Sequence, residues 1–171
     1  MKKIILFFTA ILLIGIVNLV FFFIFLNDDI SVRYKNSFLP SNNVYVLGDA
    51  SLISLELENL ENDSDALPVF IFYASPEASF CNDAIRILDN IAKANNVSKI
   101  IYVEASSVID LVEAQKLSDL EAKYGFELSV YPFLVRFDNI NGEIKVKSWN
   151  NYSGTYREVY EKIILNKDIE K

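Results

Sequence analysis

The 171-residue sequence contains no histidine and only one cysteine, Cys81. Without histidine the chain cannot build a histidine-based catalytic triad, an imidazole general base or a histidine metal site. With one cysteine it cannot form an intrachain disulfide or a thiolate zinc cage. We therefore expect no cofactor and no metal, and we expect any domain outside the cell to be stabilised by its hydrophobic core alone.

Positive charge is also scarce, since the sequence has 16 lysines and arginines but 23 aspartates and glutamates. Its formal net charge is −7. Setting aside Lys2 and Lys3 lowers that charge from −7 to −9. So acidic a surface argues against nucleic acid and against anionic lipid headgroups as partners. The carboxylate-rich stretch 56–65 lacks the glycine and the terminal bidentate glutamate of a calcium loop, so we interpret it as a solvated acidic face.

Residues 4–26 form one unbroken apolar run without a single charge. As a helix, the run would be roughly 35 Å long, enough to span a bilayer with some tilt. A cleaved signal peptide is the alternative, but it would have a shorter apolar region and small residues before its cleavage site. This run stays bulky as far as Leu26. We therefore predict an uncleaved transmembrane anchor at residues 1–26, with membrane contact through 4–26.

Lys2 and Lys3 precede this anchor, whereas Asp28 and Asp29 follow it. The positive-inside tendency then places the N-terminus in the cytoplasm and the rest of the chain outside a single-pass cell-membrane helix. Residues 27–43 have no periodicity and contain Pro40, so we interpret them as a membrane-proximal linker. The remaining residues, 44–171, suit one domain.

Within that domain, strand and helix patterns alternate in the order β-α-β-α-β-α-β-β-α. Such alternation favours parallel strand pairing, and the short final hairpin must be antiparallel. We predict an α/β fold, a mixed sheet with helices on both faces. The predicted strands are 44–47, 69–74, 99–105, 133–137 and 143–149; the predicted helices run from Asp49 to Leu60, from Cys81 to Asn95, from Ser106 or Ser107 to Tyr124, and from Tyr156 to Ile164.

The apolar run Val69–Ala74 reads as a strand buried on both faces, and a short corner then leads into a helix whose first turn holds Cys81. This stretch, the helix at 81–92 and the segment 123–138 with Pro132 resemble the thioredoxin superfamily over residues 44–165. Small membrane-anchored bacteriocin transport accessory proteins are nearest in layout. The resemblance implies a thioredoxin-like mixed sheet, with a cis proline at Pro132 leading into the fourth strand. A trans proline at the start of the strand is the alternative.

The redox motif implied by the resemblance is degenerate. Cys81 takes the place of the second, resolving cysteine, and Ala78 takes the place of the nucleophile. Glu77 replaces the aromatic residue that precedes the motif, and the buried acid of the central strand is missing. Thiol–disulfide exchange by a dithiol is therefore not expected. Cys81 shares a helical face with Ile85 and is expected to be a small core residue, a monothiol role being the alternative.

A groove beside the proline can still hold an extended peptide without any cysteine. The resemblance places a group of candidate binding residues there, although aromatics at such positions are as often core: Tyr73, Ala78, Phe80, Tyr131, Pro132 and Phe133.

Two functions from different classes follow. The first is a membrane-anchored, extracytoplasmic thioredoxin-like protein that binds a protein or peptide partner, as an accessory to secretion or export. The second is a monothiol thiol–disulfide redox protein in which Cys81 is catalytic and an external thiol resolves the adduct. A structural subunit joined to a membrane complex through the helix containing Asn18 is a further alternative.

Overall fold

The computed structural model describes Tyr34 and residues 44–63, 65–105, 110–128 and 130–167. The predicted membrane anchor, and the predicted linker apart from Tyr34, lie outside these residues. Within the described residues, no helix has both the length and the apolar character needed to cross a membrane.

The described chain forms five strands, four helices and one short 3-10 turn. In chain order these are β1 (Tyr45–Leu47), α1 (Ala50–Asn62), β2 (Val69–Ala74), α2 (Ser79–Ala94), β3 (Ile100–Glu104), α3 (Leu111–Tyr124), β4 (Phe133–Ile140), β5 (Glu143–Ser148), the 3-10 turn (Trp149–Asn151) and α4 (Tyr156–Ile164).

The five strands form one mixed sheet in the order β1-β3-β2-β4-β5. β3 runs parallel to both β1 and β2, whereas β4 is antiparallel to β2 and β5 is antiparallel to β4. In the central strand, Ile71 lies opposite Ile101 of β3 and Val135 of β4. The predicted mixed α/β sheet with helices on both faces is thus confirmed.

Side chains of β2 alternate between two cores because successive residues of a strand point to opposite faces. Phe70 and Phe72 pack with α2 and α4 in one layer, and Val69 and Ile71 pack with α1 and α3 in the other. We call these the α2–α4 layer and the α1–α3 layer. Covering both faces of the sheet in this way explains why β2 reads as a continuous apolar run.

Helix α3 starts at Leu111, later than the predicted Ser106 or Ser107. Asp110 caps the helix, its carboxylate accepting a hydrogen bond from the Val112 N–H at 2.9 Å. Residues 106–109 lie outside the described part. Asp49 caps α1 in the same way as predicted, accepting from the Leu52 N–H at 2.8 Å.

Tyr34, which belongs to the predicted linker, is buried in the core with only 1% of its surface exposed. Its hydroxyl lies 3.1 Å from the hydroxyl of Tyr102 on β3, and the two rings meet edge to face at 6.0 Å. The Tyr102 hydroxyl also donates to the Ala74 carbonyl at 3.2 Å. A residue ten positions before Val44 therefore completes the core, which local patterning could not reveal because its partners are distant in sequence.

Candidate functional site

The candidate site lies at the end of the sheet where β2 leads into α2. Ala78 occupies the N-cap position of α2, and no side chain there accepts a hydrogen bond from the first turn. The Cys81 N–H donates to the Ala78 carbonyl at 2.9 Å. Ala78 and Cys81 thus stand at the start and in the first turn of the helix, where the resemblance puts the two cysteines of the redox motif.

Cys81 is fully buried, with 0% of its surface exposed. Its side chain belongs to the α2–α4 layer together with Ile85 and Leu88 of the same helix. Burial raises the pKa of the Cys81 thiol, and a hydrogen bond with the backbone of Ser75 offsets only part of that effect. A thiol that is inaccessible and held in its neutral form is a poor nucleophile.

Phe80, the residue next to Cys81, has the opposite environment. Its ring stacks on Tyr131 with the centroids 6.1 Å apart and the planes 16° apart. Tyr131 in turn meets Tyr73 of β2 edge to face, also at 6.1 Å. Phe80 is 47% exposed and Tyr131 is 42% exposed, whereas Tyr73 is half-buried. We call these three side chains the aromatic ledge.

The Tyr131–Pro132 peptide bond is cis, in agreement with what the resemblance implied. Pro132 itself is buried, directly before β4. Phe133 lies opposite Tyr73 in the pairing of β2 with β4, but it is 0% exposed and packs in the α1–α3 layer. Phe133 is therefore a buried core residue next to Tyr73.

A cluster of buried tyrosines surrounds the thiol-bearing side of the site, and sequence reasoning missed it. Tyr34, Tyr102 and Tyr160 all lie in the same layer as Cys81. Burial raises the pKa of Tyr34 and of Tyr160 well above the ordinary value for tyrosine. The Tyr160 hydroxyl is buried and has no hydrogen-bond partner in the described part of the chain. The tyrosine content of the sequence was the available signal, but nothing in it indicated which tyrosines converge.

No group of three or more cysteine, aspartate or glutamate side chains in the described residues could hold a metal ion. A groove of about 490 Å³ lies between α1 and α3, on the side of the sheet away from Cys81. Leu55 and Ser54 line it from α1, and Lys116 and Asp119 line it from α3. None of the three residues of the aromatic ledge lines this groove.

Among solved structures, the chain is similar to a Trichomonas vaginalis thioredoxin. The two share 20% sequence identity, with 64% of this chain and 86% of that chain covered and a TM-score of 0.40. No family model matches the sequence, and no curated protein matches it significantly. Nothing about the activity of this chain follows from the similarity to that thioredoxin.

Proposed function

We propose that this chain is a membrane-anchored, extracytoplasmic thioredoxin-like protein that lacks dithiol activity. In this proposal it uses the aromatic ledge to bind a protein or peptide partner, as an accessory to secretion or export. The layout in which an apolar N-terminal run precedes such a domain is shared with the bacteriocin transport accessory proteins. The supporting observations come from the order of strands, the site at the start of α2, and the sequence of residues 1–26.

The observation that carries the proposal is the contrast between two adjacent residues of α2. Cys81, the only thiol, is fully buried, while Phe80 is 47% exposed and stacks on Tyr131. Exposed aromatic rings held in a fixed arrangement are typical of surfaces that bind proteins and peptides, because they offer a large apolar area at a small cost in conformational entropy. The site therefore presents a contact surface where a redox protein of this fold would present a thiol.

Dithiol chemistry requires two thiols at the site. A thiolate must attack one sulfur of a substrate disulfide, and a second thiol must then displace the substrate from the mixed disulfide. Ala78 has no sulfur to make the attack, and the buried Cys81 has no second thiol to assist it. The same burial also counts against the monothiol alternative, since an external disulfide cannot reach the Cys81 sulfur without a local opening of the helix.

A disulfide-reduction assay tests the loss of activity. The full chain, purified in detergent, would be given insulin as the disulfide substrate and dithiothreitol as the electron donor. We expect insulin to be reduced no faster than by dithiothreitol alone. Turnover above that background by the unaltered chain would overturn the proposal.

The Ala78→Cys variant tests whether the start of α2 has the geometry of a dithiol site. The Cα atoms of residues three apart in a helical turn lie about 5 Å apart, within the range of Cα separations that a disulfide bridges. We expect the introduced thiol to form an intrachain disulfide with Cys81 on mild oxidation, detected by mass spectrometry after thiol alkylation. The matched control is Ser79→Cys, at an exposed position two residues from Cys81, and this variant should stay reduced.

The predicted topology is tested with an exposed thiol in place of the buried one. A Cys81→Ala, Asn90→Cys variant moves the cysteine to the outer surface of α2, where Asn90 is exposed. A membrane-impermeant maleimide should label this variant in intact cells. Labelling only after the membrane is opened would place the domain in the cytoplasm and overturn the extracytoplasmic part of the proposal.

A further inference from the structure

The end of the sheet that carries the aromatic ledge has an uneven distribution of charge. The parallel strands finish here, and all four helices begin here. Three acidic residues lie in the described connections on this side, Asp49, Glu77 and Asp110, and Glu104 at the end of β3 already has an interaction partner. The described connections at this end contain no lysine or arginine; they comprise 48–49, 75–78, 105, 110, 130–132 and 149–155.

Two arginines in the first half of their helices are engaged within those helices, and Lys116 of α3 lines the groove between α1 and α3. Arg86 of α2 pairs with Asp83 at 2.6 Å, and Arg157 of α4 lies 3.5 Å from Glu161. Neither guanidinium neutralises the acidic residues of the connections. Two of those acids, Asp49 and Asp110, face positive helix ends as N-caps, which reduces their effect on an approaching ligand. Glu77 is not an N-cap.

Glu77 stands closest in sequence to the ledge. It is exposed, it lies in the turn between β2 and α2, and Phe80 follows three residues later. A ligand whose apolar side chain rests on Phe80 and Tyr131 therefore contacts the start of α2, and the turn just before it carries Glu77, whose carboxylate caps no helix. Charges arranged in this way select partners by sign, because like charges that are brought together at an interface are strongly unfavourable.

We propose that the aromatic ledge binds extended segments in which an aromatic or aliphatic side chain is flanked by lysine or arginine. This inference rests on the proposed function and specifies the chemistry of its partner. The apolar side chain packs on Phe80 and Tyr131, and the flanking cation approaches Glu77. Acidic and neutral segments with the same apolar residues bind more weakly at this surface.

Three synthetic peptides with one apolar pattern test the inference. Each has the sequence X-Phe-X-Val-X-Phe-X with blocked ends, where X is lysine, glutamine or glutamate. Binding to the full chain in phosphatidylcholine nanodiscs would be measured by fluorescence anisotropy, with empty nanodiscs as the blank. We expect the lysine peptide to bind about tenfold more tightly than the glutamate peptide, with the glutamine peptide between them. This advantage should shrink as salt is raised.

Two pairs of variants locate the binding. Phe80→Ser should abolish binding of every peptide, whereas Ile140→Ser, at a residue that is 43% exposed at the other end of β4, should not. Glu77→Lys should remove or reverse the preference for lysine, whereas Glu143→Lys, at the start of β5, should leave it intact.

The outcomes separate the two proposals. Tight binding that depends on Phe80 but not on the charge of the peptide overturns the inference and leaves the proposed function standing. The absence of binding by any of the three peptides, or binding that survives Phe80→Ser, overturns both. A charge preference that survives Glu77→Lys overturns the placement of the cation beside Glu77.

Discussion

The two layers on either side of the sheet are built from different chemistry. The buried hydrophobic residues described in the α1–α3 layer all have hydrocarbon side chains, among them Phe126, Phe133 and Phe137, and the tyrosines packed against them, Tyr73 and Tyr124, are only partly buried. The α2–α4 layer instead buries the thiol of Cys81 and the hydroxyls of several tyrosines. The side of the sheet next to the degenerate redox motif therefore buries a thiol and tyrosine hydroxyls among its hydrophobic residues, whereas the tyrosines of the other side are buried to a smaller extent.

Polar atoms in a core are costly unless they are hydrogen-bonded, and the α2–α4 layer satisfies them unevenly. Tyr34, Tyr102 and the Ala74 carbonyl form a chain of hydrogen bonds, whereas the Tyr160 hydroxyl has no partner among the described residues. The comparison therefore predicts that protonation affects stability more in the α2–α4 layer, whose tyrosines are the more deeply buried, than in the α1–α3 layer, where burial also raises the pKa of the partly buried Tyr73 and Tyr124. Trp149 packs against both layers, so its fluorescence reports on the whole domain.

The largest effect is expected from Phe137→Ala. Phe137 is 0% exposed, and its ring contacts those of Phe126 at 5.2 Å and Tyr124 at 6.1 Å. Removing a buried phenyl ring leaves a cavity, and we expect the free energy of unfolding to fall by about 3–5 kcal/mol. Urea unfolding of the full chain in detergent, followed by Trp149 fluorescence, measures this loss. Phe80→Ala, at the exposed ledge, is the control and should change stability by less than about 1 kcal/mol.

The next largest effect is expected from alkaline pH, which should lower the free energy of unfolding mainly through the α2–α4 layer. Burial raises the pKa of Tyr34, Tyr45 and Tyr160 in the folded protein, so above the ordinary tyrosine pKa of about 10 the unfolded chain ionises first. The stability is therefore complete below that pH and is lost as the pH rises towards the folded values. Each such tyrosine contributes a slope of about 1.4 kcal/mol per pH unit.

Unfolding midpoints measured from pH 8 upward in detergent test this dependence. Replacing Tyr160 by phenylalanine should flatten the slope by about the share of one tyrosine, or about 1.4 kcal/mol per pH unit. Ile53→Val, at a fully buried aliphatic position of α1, should lower stability by a similar amount at every pH. An unchanged slope in Tyr160→Phe would contradict the assignment of alkaline sensitivity to the α2–α4 layer.

A smaller effect is expected from Tyr34→Phe. The substitution keeps the buried ring and removes the hydrogen bond with Tyr102, whose hydroxyl retains its bond to the Ala74 carbonyl. We expect a loss of about 1 kcal/mol at neutral pH. Tyr34→Ala, which also removes the ring, should cost several times more. Equal stability of Tyr34→Ala and the unaltered chain would show that the segment before β1 does not contribute to the core.

The smallest effect is expected from Tyr160→Phe at neutral pH. Its hydroxyl is buried without a partner among the described residues, so removing it relieves a desolvation cost without breaking a bond. Stability should be unchanged or rise by up to about 1 kcal/mol. A loss greater than about 1 kcal/mol would mean that the hydroxyl is satisfied in solution, for example by a bound water.

Much of the fold could be predicted from local pattern. The buried strand Val69–Ala74, the apolar face of α2 and the capping residue Asp49 are short-range signals, since strand alternation, helical spacing and capping involve residues close in sequence. The burial of Cys81 also followed from its place on the same helical face as Ile85. The resemblance added the cis bond at Pro132, which no local pattern specifies.

Local patterns could not predict contacts between residues that are far apart in the chain. Composition and local pattern by themselves determined that no histidine or dithiol chemistry is available, that strands and helices alternate, and that one helix begins beside the lone cysteine. Only the tertiary structure decided that Phe80 stacks on Tyr131 in solvent, that Phe133 turns into the core, and that Tyr34 crosses from the predicted linker to bond with Tyr102. The physical reason is that each of these depends on which elements pack together, and that packing joins residues far apart in the chain.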